Sequence, residues 1–414
     1  MKKILAYSLA LLLLVACKPE EVDYKPKFKL PANAFQPFAE SDVDFDAEWP
    51  AMPSLPGVEP EATNDTTGEI LRASSLTAAG VVQSLLATVQ SRRTHQISGT
   101  YRSVDQNGDS ITLSGKIVVP DKVPVRNIIL VSHYTIGANF EAPSQCFPIE
   151  GILAGHGYAV VVADYIGFGV TRHLPHPYMV GELTAKNVID LYFAALPYLK
   201  SIDKMPADPS IYLMGYSQGG ATTVTVQYLL ERDYPEVKIR RNFAGGGPYD
   251  LAATYDKWIA DDITGIPCAV PMIIQGMNVA EHLGLDYAVF FQPKLLENYD
   301  EYINSKNYTV KQISMLMGAN RLSQIVTDEC RDKHTESSFK LYRALMRNSI
   351  AYLWRPVAPL YMFHSQDDDT VPFENSQKAR EEWRDCNIEY NFGHYGNHML
   401  GFLVFVGIVN DFVK

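Results

Sequence analysis

Apolar residues follow two rhythms along this chain. In residues 98–104 and 110–119 they alternate with polar ones, and Asp105-Gln106-Asn107-Gly108 separates the two runs. Asn-Gly between alternating runs predicts an antiparallel hairpin, because both residues tolerate the backbone conformation of a tight turn. Farther on, apolar residues gather in short, nearly unbroken runs at 127–132 (NIILVS), 158–163 (YAVVVA), 210–215 (SIYLMG), 357–363 (VAPLYMF) and 388–392 (IEYNF). A strand covered on both faces loses its polar alternation, so these runs predict buried parallel strands. The stretches 180–199, 218–232 and 372–383 read as helices between them. Strands alternating with helices predict a mostly parallel central sheet flanked by helices.

Residues 251–352 break this rhythm with about a hundred residues of helical character, rich in Met, Leu, Tyr and Asn. An insertion there would lie over the C-terminal ends of the strands, where open α/β sheets bind ligands, so a helical cap is expected. The body is then split into 73–250 and 353–414. Residues 18–72, rich in Pro, Thr and acidic side chains, read as a tether with a wrap around 35–49. Residues 1–17 begin with Met1-Lys2-Lys3, continue as an apolar stretch over 4–16, and end in Leu14-Val15-Ala16-Cys17. That stretch is shorter than the roughly 20 residues that span a bilayer, which fits a signal-peptide core. Its end resembles a bacterial lipobox. Cys17 is therefore the expected lipidation site, and export with anchoring in the cell envelope, at the outer membrane, is the expected location.

Hydrophobic residues make up 47% of the 414 and charged residues 20%, a globular composition able to bury a core. The net charge of −11 argues against nucleic acid as a partner and leaves small-molecule substrates open. Beyond Cys17 the chain carries Cys146, Cys268, Cys330 and Cys386. An even number in an oxidising compartment permits two disulfides, and Cys268–Cys330 is the favoured pair because both lie in the insertion. The chain has no Cys-x-x-Cys, and the spacing of His173 and His176 lacks a matching carboxylate, so no metal or cofactor is expected.

The chemistry centres on Gly215-Tyr216-Ser217-Gln218-Gly219-Gly220, placed after an apolar run and before a predicted helix. That is the setting of a nucleophile elbow, where glycines let a strand turn sharply into a helix and hold the serine above the sheet. A serine hydroxyl needs a base, and the base needs a group to orient it. In elbow enzymes these follow in the order acid, then histidine. Downstream, His364-Ser365-Gln366-Asp367-Asp368-Asp369-Thr370-Val371-Pro372 matches His-Gly-x-x-Asp-x-x-Val-Pro with Ser365 in place of glycine, a register that selects Asp368 among three aspartates. The base is His398 or His394. Residues 399–412 have helical spacing, and His398 sits at their entry, which favours it. The oxyanion would rest on the N–H of Gln218 and on that of Tyr134 or Thr135, in the loop after the 127–132 strand.

Further segments join the elbow: Asp164-Tyr165-Ile166-Gly167-Phe168-Gly169, His176-Pro177-Tyr178, Glu141-Ala142-Pro143-Ser144-Gln145-Cys146, and Gly245-Gly246-Gly247-Pro248-Tyr249-Asp250-Leu251. Together, over roughly residues 95–414, they resemble the secretory lipase family of fungi and its bacterial relatives. The resemblance implies an α/β-hydrolase fold with a helical cap. It also implies that Ser217, Asp368 and His398 act together to cleave esters of carboxylic acids. The chain departs from the family pattern at Tyr134 and Ser365, where glycine is common. A serine aminopeptidase or acylpeptidase on the same fold is the alternative. A non-catalytic surface binding protein is the other. Acyl length and oligomeric state are not legible.

Overall fold

The computed structural model describes residues 35–45, 87–208, 210–319, 321–331 and 335–414. The expected signal peptide, Cys17 and most of the 18–72 tether lie outside the described residues.

The runs read from the sequence become strands of one nine-stranded sheet, in the order β1-β2-β3-β5-β4-β6-β7-β8-β9. β2 (Arg93–Val104) and β3 (Ser110–Pro120) form the hairpin, closed through Gly108 in left-handed backbone (φ 73°). β4 (Asn127–Ser132) and β5 (Tyr158–Ala163) are buried at every position, as their unbroken apolar runs require. β6 (Ile211–Tyr216), β7 (Ile239–Gly245), β8 (Leu360–Ser365) and β9 (Ile388–Gly393) continue the parallel part. β1 (Gln36–Asp44) pairs antiparallel with β2 at one edge, inside the segment read as a tether and at the place of the expected wrap. Phe35, just before it, is buried, with its ring 5.1 Å from that of Tyr198.

α1 (Gly181–Ser201) and α2 (Gln218–Asp233) cover one face of the sheet, where Val188, Leu191 and Val224 join Ile117, Leu130 and Val161. α9 (Glu374–Glu382) contributes Ala379 to the same cluster. On the other face α10 (His398–Val413) and the 3-10 turn Ile149–His156 bring Phe402, Phe405, Ile152 and Leu153 against Val131, Val160 and Phe243. β7 has no counterpart among the predicted strands. Its outer half carries Arg240 and Arg241, and Asn242 lies in its buried half. Asn242 is satisfied there: it donates to Thr223 O (3.1 Å) and Gln227 Oε1 (3.0 Å) and accepts from Thr223 Oγ1 (3.0 Å).

Between β7 and β8 the chain forms α3 (Leu251–Asp261), α4 (Ala269–Ala280), α5 (Tyr287–Phe290), α6 (Pro293–Tyr299), α7 (Val310–Met317) and α8 (Glu336–Arg347). The expected Cys268–Cys330 disulfide is absent; all four described cysteines carry free thiols. Sharing one insertion does not make two cysteines neighbours. The Cys268 thiol faces Val310 O (3.9 Å), whereas that of Cys330 faces Phe290 O (3.8 Å).

The insertion leaves and rejoins the body through one buried junction built on Asp250. Its carboxylate caps α3 by accepting from Ala253 N (3.0 Å). It also accepts from Ser349 Oγ (3.3 Å) and the Tyr352 hydroxyl at the returning end. Asp250 N donates to Asn375 Oδ1 of α9 (2.9 Å), and Ala351 N to Tyr249 O (3.0 Å). Asp250→Ala removes the α3 cap and the acceptor of the Tyr352 hydroxyl, a loss of about 1–2 kcal/mol. Urea unfolding monitored by tryptophan fluorescence measures it, and an unchanged midpoint would show that the junction does not hold the insertion.

Candidate active site

The elbow forms as its glycines require. β6 ends at Tyr216, α2 starts at Gln218, and Ser217 between them takes φ 58° and ψ −124°, backbone that a side-chain-bearing residue seldom adopts. Ser217 N donates to Gly245 O on β7 (2.9 Å), which fixes the turn to the sheet. A Cβ on Gly219 would run into the backbone oxygen of Ser132, and one on Gly215 into that of Gly219. Ser217 stands at the N-terminus of α2, where the first N–H groups lack partners within the helix and the dipole favours negative charge.

The three aspartates after β8 separate cleanly. Asp368 has a fully buried side chain: Oδ1 accepts from Thr370 N (2.9 Å) and Val371 N (2.8 Å), and Oδ2 from His398 Nδ1 (2.6 Å). Burial alone would raise this carboxyl. Donation from His364 and then His398 outweighs burial and holds the group well below the usual carboxylate range. Asp367 points outward and pairs with His394 at 2.8 Å, and that histidine is largely exposed. Asp369 accepts the backbone N–H of His398 (3.2 Å) at the start of α10.

His398 is further held through the residue before the serine. Tyr216 donates its hydroxyl to His398 O (2.9 Å), and their ring centroids are 4.9 Å apart. No hydrogen bond joins Ser217 Oγ to His398 among the described contacts, an arrangement common in unliganded sites.

His364 is a neighbour of Asp368 that the sequence reading did not single out. It is fully buried at the end of β8, with Nε2 3.2 Å from Asp368 Oδ2 and Nδ1 2.6 Å from Ser376 Oγ. Nε2 also lies 3.1 Å from Val371 O, so a tautomer protonated there donates to that carbonyl alongside the Asp368 contact while Nδ1 accepts the serine proton. Its signal was a histidine four residues before the selected aspartate at a strand end.

The loop after β4 carries the other predicted residues. His133, buried and pushed down to about 4 by burial, is neutral, and its Nδ1 lies 2.6 Å from Tyr134 O. The Tyr134 ring packs edge-on against Phe402 (5.1 Å), and Thr135 Oγ1 is 2.8 Å from the Tyr178 hydroxyl. Glu141 clamps the loop by accepting from Gly137 N (3.0 Å) and Ala138 N (2.9 Å). The Gln218 side chain meets His176 Nε2 at 3.1 Å, and His176 Nδ1 donates to Ile166 O (2.7 Å). Burial, reinforced by the Lys306 charge, pushes His176 down to about 3, so the ring accepts from Gln218 as a neutral base. Among the described residues no three metal-ligating side chains cluster.

The insertion touches both sides of this site. Lys306 O accepts from Asn139 N (2.8 Å), and a Cβ on Gly137 would collide with Val310 N. Trp258 Nε1 donates to Thr370 O (2.7 Å) and Gly265 N to Asp369 O (3.0 Å), so α3 and the segment after it grip the acid loop.

The chain is similar to a secreted triacylglycerol lipase of Malassezia furfur, 24% identical over 260 residues, or 59% of this chain and 61% of that relative. It thus spans about three-fifths of the curated relative's length (61%). In structure it is similar to the rice cell wall degrading esterase LipA of Xanthomonas oryzae, with a TM-score of 0.69 and 21% identity over 80% of this chain and 93% of the other. That likeness establishes the α/β-hydrolase fold. The secretory lipase family matches residues 145–407, more than half of the sequence and all of the elements just described from α1 to β9, and the chain belongs to that family.

Proposed function

We propose that the chain is an exported, lipid-anchored hydrolase of carboxylic esters, acting through Ser217, His398 and Asp368. The observation that supports this reading is the 2.6 Å contact between His398 Nδ1 and a buried, ionised Asp368, with His398 held against Tyr216, the residue before the elbow serine. An ester enters beneath the cap formed by residues 251–352. With Nδ1–H donated to Asp368, Nε2 of His398 is free to take the Ser217 proton as Oγ attacks the carbonyl carbon. The alcohol leaves with that proton. Water, deprotonated by the same imidazole, then releases the acid from the acyl-enzyme. Asp367 and His394 take no part, being paired with each other at the surface.

The tetrahedral oxyanion rests on the N–H of Gln218 and on a second donor from the β4 loop. In a trans peptide the carbonyl and the following N–H point in opposite directions. Tyr134 O is turned toward His133, so the Thr135 N–H turns away from that ring, which favours Thr135 over Tyr134. Export and attachment at Cys17 rest on the leader sequence, and the secreted relative supports export.

Ser217→Ala and His398→Ala should each lower kcat/KM on a short-chain 4-nitrophenyl ester by about a thousandfold or more, as removal of a member of such a unit does. His394→Ala should stay within about threefold, since exposed paired side chains contribute little. The reading fails if Ser217→Ala keeps its rate or if His394→Ala is the dead variant.

Asp368 also sets a pH dependence of stability. Its folded carboxyl ionises below the unfolded value, so its stabilising effect is full above that unfolded value, near pH 4, and is lost as pH falls below it. The stability gap between wild type and Asp368→Asn should be widest from about pH 5 to 7 and shrink at lower pH. Urea midpoints across that range measure it, and a gap that widens toward acid would contradict the assignment.

A further inference from the structure

Lys306 is a cation enclosed without an anion. It lies in the insertion between α6 and α7, in left-handed backbone (φ 58°), and is only 3% exposed. Its Nζ donates to Ile303 O (3.2 Å) and sits 5.4 Å from the centroid of the Phe168 ring. No carboxylate of the described residues pairs with it, and burial pushes the amine down to about 8. The charged groups on the surrounding elements are turned elsewhere. Glu141 faces the N–H groups of its own loop, Glu301 accepts from the Tyr308 hydroxyl (2.7 Å), and Arg172 donates to Ser305 O (3.2 Å).

The position matters because of what Lys306 adjoins. Phe168 meets His176 edge-on at 5.1 Å, and His176 holds the side chain of Gln218, the residue after Ser217. Lys306 O accepts from Asn139, in the loop that begins at His133. The ammonium thus lies against Phe168, one ring away from the histidine that holds Gln218. An ammonium has three donors, and a protein keeps one out of water when an anion or further acceptors meet it. One backbone carbonyl and one aromatic face leave that requirement unmet within the protein.

We propose that Lys306 binds a carboxylate carried by the substrate, so that the site prefers esters bearing an acid group, on the acyl or alcohol side, to neutral esters of the same length. The inference rests on the hydrolase reading above and adds a substrate class to it. Two matched pairs test it on the mature chain: monomethyl adipate against methyl hexanoate, and 4-carboxyphenyl butyrate against phenyl butyrate. In at least one pair the acidic ester should have the higher kcat/KM at pH 7, by about tenfold or more, the scale of a charge-assisted contact. Lys306→Met should erase that preference while leaving the neutral ester within about threefold, and Lys306→Arg should retain part of it. The preference should also fade as pH rises through about 8, where the ammonium loses its proton.

Equal kcat/KM within both pairs would overturn the proposal. So would a Lys306→Met variant that loses both esters of a pair alike, which would mark the lysine as structural. Labelling of Ser217 by a fluorophosphonate separates the levels. A labelled enzyme that cleaves neutral esters without preference refutes the lysine assignment alone. An enzyme that neither labels nor cleaves any ester refutes the hydrolase reading and this inference with it.

Discussion

Beneath the serine, main chain packs directly against main chain. β4, β6 and the start of α2 meet where Gly215 and Gly219 leave no side chain, and a single methyl at either position would overlap a main-chain oxygen. That contact forces Ser217 into an unfavourable conformation, an expense of order 1–3 kcal/mol. It is sustained because hydrogen bonds from three strands and a helix over-determine the turn. The depth of the surrounding burial, with β4 and β5 covered at every residue, is what lets so tight a turn persist. The loop after β4, the junction at Asp250 and the acid loop are then arranged around that turn.

Three successive aspartates with three different fates show how little of a side chain's role lies in its identity. Asp367 is in water and faces a histidine across an exposed contact. Asp368 is enclosed, accepts from three donors, lies against the His364 ring and stays charged. Asp369 serves the backbone at the head of α10 and, through its carbonyl, the insertion. The turn after β8 points each carboxylate in its own direction, and the N–H groups of Thr370 and Val371 reach only the middle one.

Much of the scaffold was legible because its strands are buried on both faces and therefore written in uninterrupted apolar letters. β4 and β5 begin and end where their runs do. The register around Asp368 was legible too, since a motif of fixed spacing carries its own ruler. β7 was not, because Arg240, Arg241 and Asn242 are polar letters whose partners, Thr223 and Gln227 among them, lie on another element. The place of His364 beside Asp368 escaped for the same reason: its partner Ser376 is on α9, and its burial is a tertiary fact. The thiols of the insertion escaped as well, since the packing of short helices is set by contacts far apart in sequence. What sequence spacing encodes is local geometry, and the electrostatic surroundings of a buried group are assembled from remote pieces.

β1 has a mechanical consequence. A pull applied at Phe35 would pass into a strand whose partner, β2, is itself zipped along its length to β3. The bonds of an antiparallel ladder lie across the strands. A pull along β1 therefore strains many of them at once in shear instead of peeling them in turn. Such a load would fall on the sheet edge opposite β9, with β2, β3, β5 and β4 standing between it and the serine.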